Sequence, residues 1–474
     1  MLKLLTRQCS LTAKRCPHKA RIEVRLLSLP PMKLIILAAG EGKRMWPIQT
    51  DKCLIPFLGK PLLYHNLKKI KEAINLGEVI IVSRPESKDE ILEIAKELNI
   101  VGTIAIQKES KGMADAILSA RDLMDGEVLI VNAEDQLESK VYEAVLAVKA
   151  DVVFPGLKVK EYFPGGYLKV DRAKVAGIVE KPGEGNEPSD LVKLVVDYFK
   201  DGKKLVEYLQ KATSDKDDVY EVALNQMIKD GVEIKYIKYT GTWIPLKYPW
   251  QILDILAYLL STIEQNISPE AKVSEKAEIS GNVVIEEGAK VFEGAVIKGP
   301  AHIGKNCIIG TNSMVRESNL EEGVVTGFSS DITRSYIGAN SWFHTNYIGD
   351  SVLEGDFGMG SGAVLANLRL DDHTIRVKVG DPSILRQAQD SGQEKVDSGR
   401  HKLGLIAGKG SRVGVNASTM PGIRIGSNSL VGPGVVLKED VKDNIKILVK
   451  QEYQVSEHIP ALTSYDQFRE KLKK

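Results

Sequence analysis

Cysteine is scarce in this chain. Its 474 residues hold four, Cys9, Cys16, Cys53 and Cys307, scattered and without a CxxC pair. That spacing offers no paired thiolates to a metal and reads as a reducing, cytoplasmic setting. A charge excess is missing as well, with 64 Lys and Arg against 63 Asp and Glu. Without a basic balance, nucleic acid is not the expected partner, although local patches stay open. No apolar run is long enough for a transmembrane helix. Phenylalanine is sparse, nine residues against 41 glycines, and that glycine excess needs a structural cause. The length predicts two or more domains and a large core.

Residues 1–31 differ from the rest of the chain: seven Lys and Arg, one Glu and no clear period. They read as a basic presequence or, in preference, as residues from an upstream start codon, because Met32 opens the first clear strand. A poorly ordered tail is expected. From Met32 to residue 248, apolar runs at 33–37, Val79–Ser83, Val128–Asn132 and 152–155 alternate with helical patterns at 61–75, 88–98 and 113–124. Strand and helix in this order predict a mostly parallel α/β sheet, with ligands at the carboxyl ends of the strands. The apolar stretch 249–266, led by proline, predicts a connecting helix.

The period then changes. Ile267, Val273, Ile279, Ile285, Val291, Ile297, Ile303, Ile309 and Val315 fall six residues apart, and the series resumes at Val413, Thr419, Ile425, Val431 and Leu437. A six-residue repeat of one aliphatic among small residues predicts a parallel β-helix, with Gly and Asn at its corners. This accounts for much of the glycine. Two interruptions are expected, at 341–350 and at 380–402, the second a polar Gln- and Ser-rich insertion read as disordered. The expected layout is thus a basic extension (1–31), an α/β domain (32–248), a linker helix (249–266), a β-helix (267–445) and a tail (446–474).

The stretch LIILAAGEGKRMWP (34–47) hands a buried strand to a loop rich in glycine and cation. Such a turn exposes backbone N–H groups to phosphate oxygens. Gly40 and Gly42 permit close approach, and Lys43, Arg44 and Lys52 can neutralise a triphosphate. Neither the dinucleotide fingerprint nor Gly-Lys-Ser/Thr is present.

The longer stretch LAAGEGKRMWPIQTDKCLIPFLGKPLL resembles the signature of sugar-1-phosphate nucleotidylyltransferases. With the hexapeptide solenoid behind it, the chain resembles the GlmU-type and archaeal bifunctional nucleotidylyltransferase/acetyltransferases over residues 32–441. The resemblance implies a Rossmann-like nucleotidyltransferase domain followed by a left-handed parallel β-helix. It implies that Leu37, Ala38, Ala39, Gly40, Gly42 and Arg44 line the nucleotide site, with Arg44 and Lys52 catalytic. Asp51 stands where the family usually has proline. QKESKGMADAI implies that Gln107 and Gly112 read the base. LIVNAEDQL implies that Asp135 holds Mg²⁺, and GGYLKVD and IVEKP imply Gly166, Glu180 and Lys181 at the sugar phosphate. Where many relatives carry a second metal-binding Asp, this chain has Pro245, so Glu134 or water must complete the shell or activity is weakened.

In the solenoid, HTNYIGD resembles the acetyltransferase element. It implies His344 as general base toward a sugar amine and acetyl-CoA, a role suited to a side chain of pKa about 6.5. By the same resemblance Arg316, Tyr347, Asn367 and Lys402 bind substrate. A basic residue of the family appears as Thr333-Arg334, and an asparagine as Gly358. The family also implies a homotrimer with sites between subunits. UTP or dTTP, a sugar-1-phosphate and acetyl-CoA are the expected partners. Two alternatives stand beside this reading: a monofunctional thymidylyl- or uridylyltransferase with a structural solenoid, and a non-catalytic sensor or scaffold.

Overall fold

The computed structural model describes residues 32–381, 395–459 and 465–473. The basic segment 1–31 and positions 382–394 of the polar insertion lie outside the described residues. The first module is built on a ten-stranded sheet. Its centre, Lys33–Ala38, runs parallel to Val79–Ser83 on one side and to Val128–Asn132 on the other, with Gly102–Ile106 beyond. These strands are apolar on both faces because helices cover both. Helices α1 (Leu62–Ala73), α2 (Lys88–Glu97) and α4 (Lys140–Leu146) pack on Leu34, Ile36 and Ile81. Helices α3 (Met113–Ser119), α5 (Gly202–Lys211) and α6 (Val219–Lys229) pack on Ile35, Leu37 and Ile80.

Beyond Val128–Asn132 the sheet changes character. Val196–Phe199 pairs antiparallel with Val128–Asn132 and with Val152–Lys158. Lys174–Glu180, Gly166–Asp171 and Leu191–Lys193 extend the sheet antiparallel to its far edge. The helix predicted over 113–124 ends at Ser119, and Arg121–Leu123 forms a separate 3-10 turn. The connecting helix is shorter than 249–266: α7 spans Gln251–Leu260, and Asn266–Ile267 is already solenoid strand. The Ser261 and Thr262 hydroxyls donate back to the Tyr258 and Leu259 carbonyls, which closes the last turn.

The second module is a left-handed parallel β-helix of three faces. Ile279 pairs with Ile297, and Val291 with Ile309, one coil of eighteen residues apart. Ile285, Ile297, Ile303 and Ile309 are fully buried along its axis, each worth about 1.5–3 kcal/mol of apolar burial. Corners fall on Asn306, Asn312, Asn416 and Asn428, all at positive φ. Gly288 stacks against one of them, where a Cβ would stand 2.2 Å from the Asn306 Oδ1, so only glycine fits.

The expected break at 341–350 is not one. Trp342 bridges Val325 and Gly358, and Tyr347–Gly349 pairs with Asp331–Thr333 and Val364–Leu365. Leu320 stacks on Ile337 and Ile337 on Leu353, so these coils are a residue or two shorter. Tighter corners shift the phase without interrupting the stack. The true insertion leaves after Leu365 and rejoins at Ile406. Its described flanks are ordered: Arg376–Lys378 pairs antiparallel with Lys395–Asp397. The stack also runs past residue 445, since Lys446–Ile447 pairs with Leu430–Val431.

The two modules meet over a mixed surface. Met45, Ile48, Phe57 and Leu62 of the first pack with α7 and with Tyr336, Val352 and Ile406 of the solenoid and Ile375, Val377 and Leu403 of the insertion. Polar contacts ring this patch. The Glu354 Oε1 accepts the Gln49 and Thr50 backbone N–H groups at 2.8 and 2.7 Å and the Thr50 hydroxyl at 2.8 Å. The Glu321 carboxylate accepts the Gly59 N–H at 3.1 Å, and Asn319 the Leu58 N–H at 3.3 Å. The Trp46 indole donates to Asp443 at 3.2 Å while Arg424 lies over its ring. Replacing Glu354 by alanine leaves four donors without a charged acceptor, these three and the Lys409 N–H that its Oε2 accepts at 3.0 Å. The expected loss is about 2–3 kcal/mol in denaturant unfolding, with faster amide exchange at Gln49 and Thr50 but not in Val128–Asn132. Unchanged exchange at Gln49 and Thr50 would show that the carboxylate does not hold this segment.

Candidate active sites

The strand Lys33–Ala38 delivers the glycine loop to the carboxyl edge of the sheet. Leu37 and Ala38 remain strand residues with buried side chains, and Ala39 is buried just beyond. They belong to the core on the two faces of the sheet and are not among the residues lining the cleft. Gly40, Gly42, Arg44, Lys52, Gly112, Asp217 and Lys247 line a cleft of about 580 Å³. Gly42 and Gly112 have φ of 64° and 91°, and a Cβ on Gly112 would stand 2.6 Å from the Asp217 Oδ1. Both positions need glycine. The Arg44 guanidinium lies 5.6 Å from the Tyr248 ring centroid. Asp51, the departure before Lys52, accepts from Arg84 and Ser87, which pins the Lys52 turn to the loop after the next strand.

Lys52 forms an ion pair with Glu134. Burial works to lower its pKa, but Glu134, with Asp135 adding to it, holds the value above that of an ordinary lysine. Asp135 is buried, 8% exposed. Burial, then the Glu134 charge, raises its pKa, while hydrogen bonds from Trp243 and Asn132 oppose that shift. The Trp243 indole reaches its Oδ2 at 3.2 Å because Gln136–Leu137 and Trp243–Ile244 pair antiparallel. Among the described residues no three His, Cys, Asp or Glu side chains group to hold a metal. The donors therefore fit a divalent cation only if ligand phosphates share it, the manner in which Mg²⁺ commonly binds. Pro245 is buried and its side chain offers no ligand atom.

Sequence reasoning missed Lys247. Its ammonium donates to the Pro164 carbonyl at 3.3 Å and sits 3.9 Å from the Phe163 ring centroid. Burial pulls its pKa down to about 8, with Asp135 opposing and Arg44 adding to the shift. The available signal was a lone cation in the otherwise apolar WIPLKYPW. Gln107 is buried, its amide N–H groups donating to Asp115 at 2.7 Å and Gly112 at 3.3 Å, so its oxygen is left to accept. On the next wall a Cβ on Gly166 would stand 3.2 Å from the Glu180 Oε2. Lys181 pairs with Glu180 at 3.1 Å and approaches Asp217 at 3.9 Å.

On the solenoid, the Asn367 amide donates to the Tyr347 hydroxyl at 3.2 Å and to Asp350 at 2.6 Å. Asp350 also accepts Arg334 through two bonds of 2.8 Å. Lys402 bridges antiparallel to Leu368, beside Asn367. Arg316 lies on the same face in register with Thr333 and Gly349, paired with Asp331 at 3.1 Å. His344 is exposed at the other edge of its coil, edge-on to Trp342 at 5.8 Å. Gly358 cannot be asparagine here, because a Cβ would stand 2.5 Å from the Trp342 ring.

Comparison with known proteins finds matches in both modules. The nucleotidyl transferase family model matches residues 33–245. The bacterial transferase hexapeptide (six repeats) matches 282–317, and the hexapeptide repeat of succinyl-transferase matches 404–439. The chain is 31% identical over 427 residues to the bifunctional protein GlmU of Methanocaldococcus jannaschii, covering 89% of this chain and 98% of that one. It is 32% identical over 424 residues to the bifunctional sugar-1-phosphate nucleotidylyltransferase/acetyltransferase of Sulfurisphaera tokodaii, covering 86% and 98%. The bifunctional protein GlmU of Bartonella bacilliformis is 26% identical, covering 89% and 95%.

The Lys52–Glu134 pair can be weighed directly. Lys52→Met should destabilise the protein by about 1–3 kcal/mol, because two adjacent carboxylates lose their cation. Adding Glu134→Gln should restore part of that loss. Additive losses in the denaturation cycle would show that the two side chains do not couple.

Proposed function

The chain belongs to the GlmU-like family of bifunctional sugar-1-phosphate nucleotidylyltransferase/acetyltransferases, and from that premise we propose how its two sites work: the first module transfers a nucleotidyl group from UTP or dTTP to a sugar-1-phosphate, and the β-helix acetylates an amino-sugar-1-phosphate from acetyl-CoA. The observation that carries the first half is the meeting of the Gly40–Gly42 loop, Arg44, Lys52 and Asp135 at the carboxyl edge of one sheet. The loop amides and Arg44 hold the triphosphate. A sugar phosphate oxygen attacks the α-phosphorus in line, and pyrophosphate leaves with the bridging electrons. Lys52 stabilises the charge on the equatorial oxygens, and no covalent enzyme intermediate is needed. Gln107, with both N–H groups engaged, accepts the N3–H that uracil and thymine share. Gly166, Glu180 and Lys181 orient the sugar phosphate. Mg²⁺, held by Asp135 together with substrate phosphates, would lower the barrier by neutralising phosphate charge.

In the second half His344 takes the amine proton as nitrogen attacks the acetyl carbonyl. The C–N bond forms, the C–S bond breaks, and the CoA thiolate collects a proton. Arg316, Tyr347, Asn367 and Lys402 bind the sugar phosphate and cofactor. A homotrimer packed through the β-helix accords with exposed Phe328, Trp342, Val364 and Val436 on its surface. A cytoplasmic location accords with free, buried Cys53 and Cys307. No described helix is long and apolar enough to cross a membrane.

The test crosses UTP and dTTP against glucose-1-phosphate and N-acetylglucosamine-1-phosphate, reading pyrophosphate release with Mg²⁺. Asp135→Asn should lower the best turnover by about 10²-fold or more. His344→Ala should lower acetylation of glucosamine-1-phosphate by about 10²–10⁴-fold with pyrophosphate release retained. Silence of the folded wild type with all four pairs would refute the nucleotidyl transfer reading and leave acetylation or a sensor role.

A further inference from the structure

The cleft wall opposite the glycine loop carries a cation in a place where a carboxylate would be useful to a metal. The chain leaves Trp243–Ile244 through buried Pro245 and Leu246 and presents Lys247. Its position is fixed from both ends. The Lys247 and Tyr248 N–H groups donate to the Gln251 Oε1 at 2.7 and 2.9 Å, which ties this segment to the first turn of α7. The side chain lies over Phe163, and that ring meets Trp243 edge-on at 4.8 Å. Trp243 in turn donates to Asp135. One aromatic stack therefore positions both the buried carboxylate of the cleft and the cation facing it.

An ammonium has three N–H donors, and the Pro164 carbonyl occupies one. Lys52 is neutralised by Glu134, and Lys181 by Glu180. Lys247 differs: among the described residues no carboxylate forms an ion pair with it. It stands instead where Asp135 attracts and Arg44 repels it. A partly buried cation of this kind gains most from an anion brought into the cleft, since low polarity strengthens the attraction and the neighbouring cations add to it.

We propose that Lys247 is a phosphate-binding residue, whose ammonium takes over part of the charge neutralisation that a second metal-binding side chain would otherwise support, so that the nucleotide binds substantially without a divalent cation. The inference rests on the nucleotidyl transfer reading above. It deepens that reading by assigning a fixed cation to the wall on which Pro245 offers no ligand.

The experiment is equilibrium binding of UTP and dTTP to the full chain by calorimetry, once with Mg²⁺ and once with EDTA, for wild type, Lys247→Met and Lys247→Arg. In the wild type, replacing Mg²⁺ by EDTA should weaken binding by about tenfold or less. Lys247→Met should bind about tenfold more weakly with Mg²⁺ and about 100-fold more weakly than wild type with EDTA. Lys247→Arg should keep most of the EDTA binding, and a thermal melt of each variant checks folding. If Lys247→Met binds like wild type under both conditions, Lys247 does not touch the phosphates and the proposal falls. It falls equally if wild type binds with Mg²⁺ but loses all affinity in EDTA. Absence of binding to wild type under both conditions would overturn the nucleotide reading itself, and this inference with it.

Discussion

Fourteen residues after the glycine loop, from Trp46 to Gly59, belong to neither the main sheet nor a long helix. Their backbone N–H groups cannot be satisfied by the first module alone, and a buried unpaired donor is costly. The solenoid supplies the acceptors: Glu354 for Gln49 and Thr50, Asn319 for Leu58 and Glu321 for Gly59. This constraint reaches directly into the first site. Lys52 lies two residues beyond Thr50, and Arg44 two before Trp46, whose indole is held by Asp443. The loop proposed to hold phosphates is thus framed by a different module from the one that contributes its sequence.

The same constraint explains the composition of α7. A helix packed on one surface shows one apolar stripe, whereas QILDILAYLL buries Ile252, Leu253, Ile255, Leu256, Leu259 and Leu260. That spread requires partners on several sides, and it has them in Phe57, Tyr336 and the insertion hairpin. Its one described ion pair across this surface, Asp254 with Arg400, again joins the first part of the chain to the insertion. The insertion is therefore a structural strut on α7 as well as the segment that carries Asn367. The polar composition that suggested disorder belongs largely to residues outside this packed part.

Features set by local spacing could be read in advance. The hexapeptide phase was legible because each inward aliphatic repeats at fixed spacing and stacks on its own copy. Coils shortened at their corners break the spacing but keep the stack, which is why 341–350 imitates an interruption. The parallel strands were legible as unbroken apolar runs. The antiparallel half was not, because Val196–Phe199 looks no different from a parallel strand until its neighbours are known. In the site, Gly40, Gly42, Arg44 and Lys52 carry their chemistry in one short stretch. Lys247 and Trp243 reach the cleft only through a strand pairing with Gln136–Leu137, more than a hundred residues earlier. The reason Asp51 is tolerated, its bonds to Arg84 and Ser87, is equally invisible in sequence.

The lysines in and beside the cleft divide into two groups with different physical surroundings. Lys43, Lys111 and Lys181 are exposed or half-exposed and hold Glu41, Glu109 and Glu180 at 2.9, 2.7 and 3.1 Å. Solvent screens such pairs and leaves them weak, so under the proposed function a polyphosphate could displace the carboxylates with little loss. They raise the local potential without fixing geometry. Lys52 and Lys247 are more enclosed, and each is oriented by a specific structure: Glu134 for one, the Phe163 ring and Pro164 carbonyl for the other. Preorganised charge acts on a transition state because it need not reorganise as the reaction proceeds. On the proposed function, the outer lysines would serve capture and the inner two alignment. Under that reading a site arranged in this way would depend less on any single metal ligand, which would let it accommodate proline at position 245.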